Sequence, residues 1–233
     1  MKRYYSFVFL LCFSQLLFSQ KKYNVFSVEA AYGFNIPTKP KDDIKVSDYI
    51  IPRHFDIGVR YMFDEFFGLK IDYANDRFQN KRNKNIGNGY HRLSLEAVFN
   101  ITNKLNIINS QSFNILLHAG MGITYAYPES IKRFKNGGEF TFGLTPYNTK
   151  NFERIGNLIF GLKPQYRYSN DLVIYTDFSY VINTEQQYSY NGELLFLNRE
   201  KVRGGFINIL FGIQFYLGKR RRHADWYNSR RKF

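Results

Sequence analysis

Cysteine, tryptophan and acidic residues are scarce in this chain, and the scarcity of cysteine removes a class of chemistry. Of its 233 residues one is a cysteine, Cys12, and that one lies inside an N-terminal apolar run. The run, Phe7 to Phe18, follows Lys2 and Arg3 and gives way to Ser19-Gln20-Lys21-Lys22, the build of a cleaved secretory signal. Its twelve residues fall short of the roughly 20 that a spanning helix needs. No small residue stands just before Cys12, as a lipoprotein signal would place one. If residues 1–20 are removed the cysteine goes with them, and disulfide and thiol chemistry are excluded. Beyond the signal no segment is apolar enough for a membrane helix. Metal-ligand spacing, a phosphate-cradling glycine loop and a nucleophile motif are also missing, so neither a metal nor a cofactor is expected.

Acids number 19 against 33 lysines and arginines, a formal charge of +14 that becomes +12 without Lys2 and Arg3. Much of the excess lies at the C-terminus. Lys219, Arg220, Arg221, Arg222, Arg230, Arg231 and Lys232 against Asp225 give residues 219–233 a charge of +6. Nucleic acid is disfavoured as a partner by the secretory signal. The only tryptophan, Trp226, sits between the two basic clusters beside Tyr227. Lys219, Arg220, Arg221, Arg222, Trp226 and Tyr227 are therefore candidates for contact with a periplasmic protein, the cell wall or anionic headgroups, against the plainer reading of a solvated end.

What is present is alternation. From Gly204 to Leu217 the residues Ile207, Ile209, Phe211, Ile213, Phe215 and Leu217 share one side of a two-residue period, and Phe206, Asn208, Leu210, Gly212, Gln214 and Tyr216 the other. Seven earlier segments repeat the pattern. They run from Tyr23 to Phe34, His54 to Met62, Phe67 to Ala74, Tyr90 to Asn100, Phe113 to about Tyr125, Arg154 to Tyr168 and Leu172 to about Asn183. Asn35–Arg53, Asp76–Gly89, Tyr127–Phe152 and Thr184–Arg203 read as loops, Asp64-Glu65 and Ser169-Asn170-Asp171 as tight turns, and Ile101–Ser112 as an undecided connection. Eight strands joined alternately by long and short connections predict an all-β fold, an eight-stranded antiparallel up-and-down transmembrane β-barrel, with short turns and both termini on one side. The domains expected are a signal (1–20), a barrel (21–217) and a basic tail (218–233).

A soluble lipocalin-like barrel has the same alternation, with the apolar set lining a ligand cavity. Three features favour the membrane barrel. The mixed face carries mid-strand glycines (Gly58, Gly68, Gly120, Gly122, Gly161, Gly212), which make room for long neighbours. It also carries Glu29, Asp56, Asp72, Glu96 and Asp177 against Arg60, Lys70, Arg92, Lys163 and Arg167, a balanced set expected to pair inside a narrow lumen. Aromatics cluster toward the ends of the apolar rows: Tyr32, Phe34, Phe55, Tyr61, Phe67, Tyr73, Phe99, Tyr125, Tyr166 and Phe215.

The signal ending in Ser-Gln, the hairpin Gly58-Val-Arg-Tyr-Met-Phe-Asp-Glu-Phe-Phe-Gly-Leu-Lys-Ile-Asp-Tyr73 and the closing Phe211-Gly-Ile-Gln-Phe-Tyr-Leu-Gly-Lys219 resemble the small outer-membrane β-barrel proteins of Bacteroidota, related in architecture to the OmpA transmembrane domain. Gly212-x-x-Phe215-x-Leu217 resembles the terminal-strand signal read by the barrel-assembly machinery, apart from Leu210 and the tail that follows. The resemblance implies an envelope protein of the outer membrane, its loops extracellular, its partners lipid, lipopolysaccharide and the assembly machinery, and its role structural or interactive. No OmpA-like peptidoglycan-binding domain accompanies it. Some small barrels instead deacylate or acylate lipid A, but His-x-Ser is absent and His91 and Ser94 fall on opposite faces. His118 with Glu96 is the residual acid/base candidate, against the plainer role of an interior hydrogen-bonding pair. Arg77, Lys81, Arg82 and Lys84 are candidates for lipopolysaccharide phosphates, against a solvated loop.

Overall fold

Strand pairing runs in chain order and then closes on itself. The computed structural model describes residues 23–41, 44–84, 86–105, 110, 112–128, 153–192, 195, 202–219 and 222–227. The strands are β1 (Phe26–Lys39), β2 (His54–Met62), β3 (Phe67–Gln79), β4 (Gly87–Asn100), β5 (Phe113–Pro128), β6 (Glu153–Arg167), β7 (Leu172–Gln186) and β8 (Val202–Leu217). Each is antiparallel to the next, and β8 returns to β1 from Phe26↔Leu217 to Lys39↔Gly205. The signal, Cys12, most of the 127–152 loop, Arg220, Arg221 and the last basic cluster lie outside the described residues.

The eight strands fall where the alternation puts them, and several are longer than it suggests. β1 continues through Asn35 and Pro37, β3 through Asp76 and Phe78, and β4 begins at Gly87. The chemistry of the two faces explains the difference. Around the waist the outside is apolar and the inside polar; beyond it Asn75 and Arg77 face outward while Phe78, Tyr90 and Phe206 are buried. The two-residue period continues but its sense inverts, and an inverted strand end reads as loop. The undecided connection after β4 opens with a short helix, α1 (Ile101–Leu105).

The interior is filled in three storeys. At the long-loop end Phe78 packs on Tyr190, Phe206 and Tyr90 with ring centroids 4.5, 5.1 and 5.3 Å apart. Tyr190 enters from the loop after β7 and donates to the carbonyls of Gly205 (2.6 Å) and Lys39 (3.0 Å). The middle storey is charged. The third, at the turn end, is filled by residues 222–227, which fold back under the strands. A gap among Arg60, Lys70, Val98, Leu116, His118 and Lys163 has no room for a water molecule.

Outside, Ile71, Leu93, Met121 and Ile213 are each more than half exposed. Belts of aromatics border them. Tyr32, Phe55, Tyr73 and Tyr125 lie toward the loops, and Phe67, Phe99, Tyr166 and Phe215 toward the turns. Among the described residues no helix is long and apolar enough to cross a membrane.

Candidate functional site

The charged middle storey is built by the inward faces of seven strands, β1 to β7, each supplying one or two ionisable groups. Glu29 of β1 pairs with Lys163 of β6 and lies 3.7 Å from Arg60 of β2. The Lys163 ammonium reaches Asp177 of β7 at 3.7 Å and sits 4.3 Å above the Tyr175 ring. Lys70 of β3 joins Asp72 (3.5 Å) to Glu96 of β4 (3.3 Å). Asp56 of β2 and Asp72 of β3 are both buried in this storey.

His118 closes the ring of charges. Its Nδ1 is 2.6 Å from Glu96 and its Nε2 3.1 Å from Asp177, so both nitrogens are engaged by buried carboxylates. The imidazole lies over Gly161, where any Cβ would collide with it, and the Tyr175 ring likewise occupies the space over Gly212. The inner glycines are thus the floor on which the long side chains lie, as their mid-strand placement suggests.

Nine of the ten residues expected in the interior network are buried there: Glu29, Asp56, Arg60, Lys70, Asp72, Arg92, Glu96, Lys163 and Asp177. Arg167 is the correction. It sits at the end of β6, where it donates to Asn170 (2.6 Å) in the turn and is partly exposed. It is the last residue of its strand, and the alternation that placed it inside has by then run past the barrel wall. Arg92 also has a different partner from those expected by strand order. It meets Asp76 at 3.2 Å rather than Glu29, Asp72 or Glu96, and Asp76 in turn pairs with His54. Asp76 was missed because it falls in the inverted part of β3.

The largest omission is Asp225. Its carboxylate accepts from Arg60 and from the Tyr216 hydroxyl, and it is 1 % exposed. Around it Asn103 Nδ2 donates to the carbonyls of Glu65 (3.2 Å), Asp225 (3.1 Å) and Tyr227 (3.0 Å), and Asn100 Nδ2 to that of Asp225 (3.1 Å). His223 stacks on Tyr216 at 3.9 Å and is buried; desolvation holds its pKa below the ordinary histidine value. The segment from Lys219 is therefore not a free arm over residues 222–227. Trp226 and Tyr227 are half-buried, and Tyr227 packs on Tyr23 with centroids 5.0 Å apart. No signal of sequence spacing could have linked Asp225 to Arg60; only the lone acid in a basic tail marked it.

The basic loop divides. Arg77 faces outward from β3, Lys81 donates to the Ser47 carbonyl at 2.8 Å, and Arg82 and Lys84 are exposed. His91 lies on the outer face between Tyr73 and Tyr127, with Tyr73 Oη 2.7 Å from its Nδ1, while Ser94 is buried. Among the described residues no group of histidines, cysteines and acids could hold a metal ion.

Neither a family model nor a curated protein matches the chain. Among solved structures it is similar to Neisserial surface protein A at 12 % identity over 82 % of this chain and 97 % of that one, with a TM-score of 0.49. It is also similar to the outer membrane protein OprG of Pseudomonas aeruginosa (13 % identity, 84 % and 97 % covered, TM-score 0.43) and to Ail, the attachment invasion locus protein of Yersinia pestis (18 %, 83 % and 99 %, 0.42). Likeness at that level says nothing of what this chain binds.

Proposed function

We propose that this chain is a non-enzymatic integral barrel of the bacterial outer membrane with a structural or interaction role in the envelope. One observation carries the reading: a continuous apolar belt with aromatic borders faces outward around a filled, charged interior. That belt far exceeds the few hundred Å2 of contiguous apolar surface that a soluble monomer exposes, and it is the outer face that lipid requires. A lipocalin-like barrel would carry the faces the other way about. The long loops then lie outside the cell and the short turns with residues 23 and 222–227 in the periplasm, as in barrels that enter from that side. Arg77, Arg82 and Lys84 meet the phosphates of the outer leaflet, and the β8 pattern Gly212-x-x-Phe215-x-Leu217 serves the assembly machinery.

A lipid-A-modifying enzyme is the rival, and the state of His118 speaks against it. Its two nitrogens are taken by Glu96 and Asp177, and it is buried in the middle of the lumen, away from the lipid-facing surface. Fractionation tests the proposal: the protein is expected with the outer membrane, with a gel mobility that shifts on boiling. Recovery in the soluble periplasm would overturn it. Lipid A from cells with and without the protein should give identical mass spectra, and a changed acyl count would favour the enzyme.

A further inference from the structure

The contacts that hold residues 222–227 combine backbone hydrogen bonds with one buried carboxylate, around a short 3-10 turn at Ala224–Trp226. Asn24 accepts from the Ala224 N–H (3.0 Å) and donates its own N–H to the Arg222 carbonyl (2.8 Å), pairing as a short parallel bridge. Asn100 and Asn103 donate to the carbonyls of Asp225 and Tyr227. Backbone contacts of this kind give affinity without sequence preference. Selection for charge comes where Arg60 and Tyr216 receive the Asp225 carboxylate, beside the shape contacts of His223 on Tyr216 and of buried Ala224. The fit is incomplete: Asp225 Oδ1, Arg60 Nη1 and Trp226 Nε1 are buried without a hydrogen-bond partner. Each is a desolvation penalty that the docked segment carries and that release into water relieves. The rim carries both signs, Lys104, Arg167 and Lys219 against Asp64, Glu65 and Asp171, so the carboxylate pocket and not the rim sets the charge preference.

We propose that the turn-side mouth of the barrel is a peptide-binding site selective for an aspartate in a short turn-forming segment. Residues 222–227 occupy it as a built-in ligand, and an aspartate-bearing segment of a periplasmic protein exchanges for them. The identity of that partner rests on the reading of this end as periplasmic; the site itself does not.

Trp226 is the only tryptophan in the chain, so its emission reports whether the segment is docked. The full chain in detergent micelles is titrated with the blocked peptide Arg-His-Ala-Asp-Phe-Tyr, which has the sequence of the docked segment with phenylalanine in place of tryptophan. The expected result is a saturable red shift of Trp226 emission with increased quenching by acrylamide. The same peptide with asparagine for aspartate should need about tenfold more, since a charge-assisted hydrogen bond is lost. Emission unchanged at millimolar peptide would make the segment a permanent plug and overturn the proposal. Equal displacement by the asparagine peptide would remove the aspartate selectivity and overturn it as well. Neither arm depends on which membrane holds the barrel, so failure here and failure of the localisation reading are separate outcomes.

Discussion

Arg92 and Asp76 show what a buried ion pair does in a lumen filled by side chains. Each was taken out of solvent when the barrel closed, and the pair at 3.2 Å recovers little more than that loss. Removing one member is another matter, because without Arg92 the buried Asp76 keeps His54 but loses its guanidinium. Arg92→Met is expected to destabilise the folded barrel by about 3–5 kcal/mol, and Arg92→Met with Asp76→Asn by clearly less. Urea titrations of refolded protein, read by the boiling-dependent gel shift, decide it; equal losses would mean that the pair is not coupled. Facing is testable in the same assay. Leu95 and Ile213 point outward at mid-strand, so arginine at either should cost about 2–4 kcal/mol in lipid. Gln214, fully buried and bonded to Gln165 at 2.7 Å, points inward, where an arginine is limited by fit instead. Similar tolerance at all three positions would contradict the assigned faces.

At the scale of elements, the segment after β8 behaves as part of the fold. Asp225→Asn removes the charge facing Arg60 and leaves that guanidinium with Glu29 at 3.7 Å, a loss of about 1.5–3 kcal/mol for the charge-assisted hydrogen bond. Docking should also depend on pH. His223 is held neutral by burial, below its ordinary value of 6.5, next to Asp171, Asp225 and Arg167. A histidine with a lowered folded-state pKa favours docking at higher pH. That preference fades as pH falls below 6.5 and the released form takes up its proton first. Trp226 emission should therefore shift to the red on acidification, and His223→Gln should flatten the response. Strand count, order and the facing of the waist were legible in the sequence, because period two shows wherever one face is oily and the other is not. Strand ends were not: at Asp76–Phe78 and Gly87–Tyr90 the oily residues move inside, and the same rule then points the wrong way. Of the interior charges, those at the waist were legible and Asp76 and Asp225 were not. The first lies in an inverted end, and the second reaches Arg60 only through a chain reversal that no periodicity encodes.

For the whole molecule, the filled lumen sets a limit on transport. Eight strands leave an interior that side chains just occupy. Here aromatic rings fill one end, paired charges the waist and the returning segment the other end. Reconstituted in planar bilayers, the protein is expected to give no stepwise conductance at moderate voltage. Regular channel openings would mean that the storeys part more easily than their packing implies. The closing seam has a consequence of another kind. β1 and β8 are hydrogen-bonded from Phe26↔Leu217 onward, so the first strand made must wait for the last. Contacts that distant in sequence form slowly, since the chain entropy of a long loop is lost before any bond repays it. Until then both ends of the sheet are open edges, able to pair with another chain. The protein therefore spends its vulnerable time before the seam closes, and agents that delay β8, such as a truncation at Gly212, should lead to aggregation or proteolysis rather than to a smaller barrel.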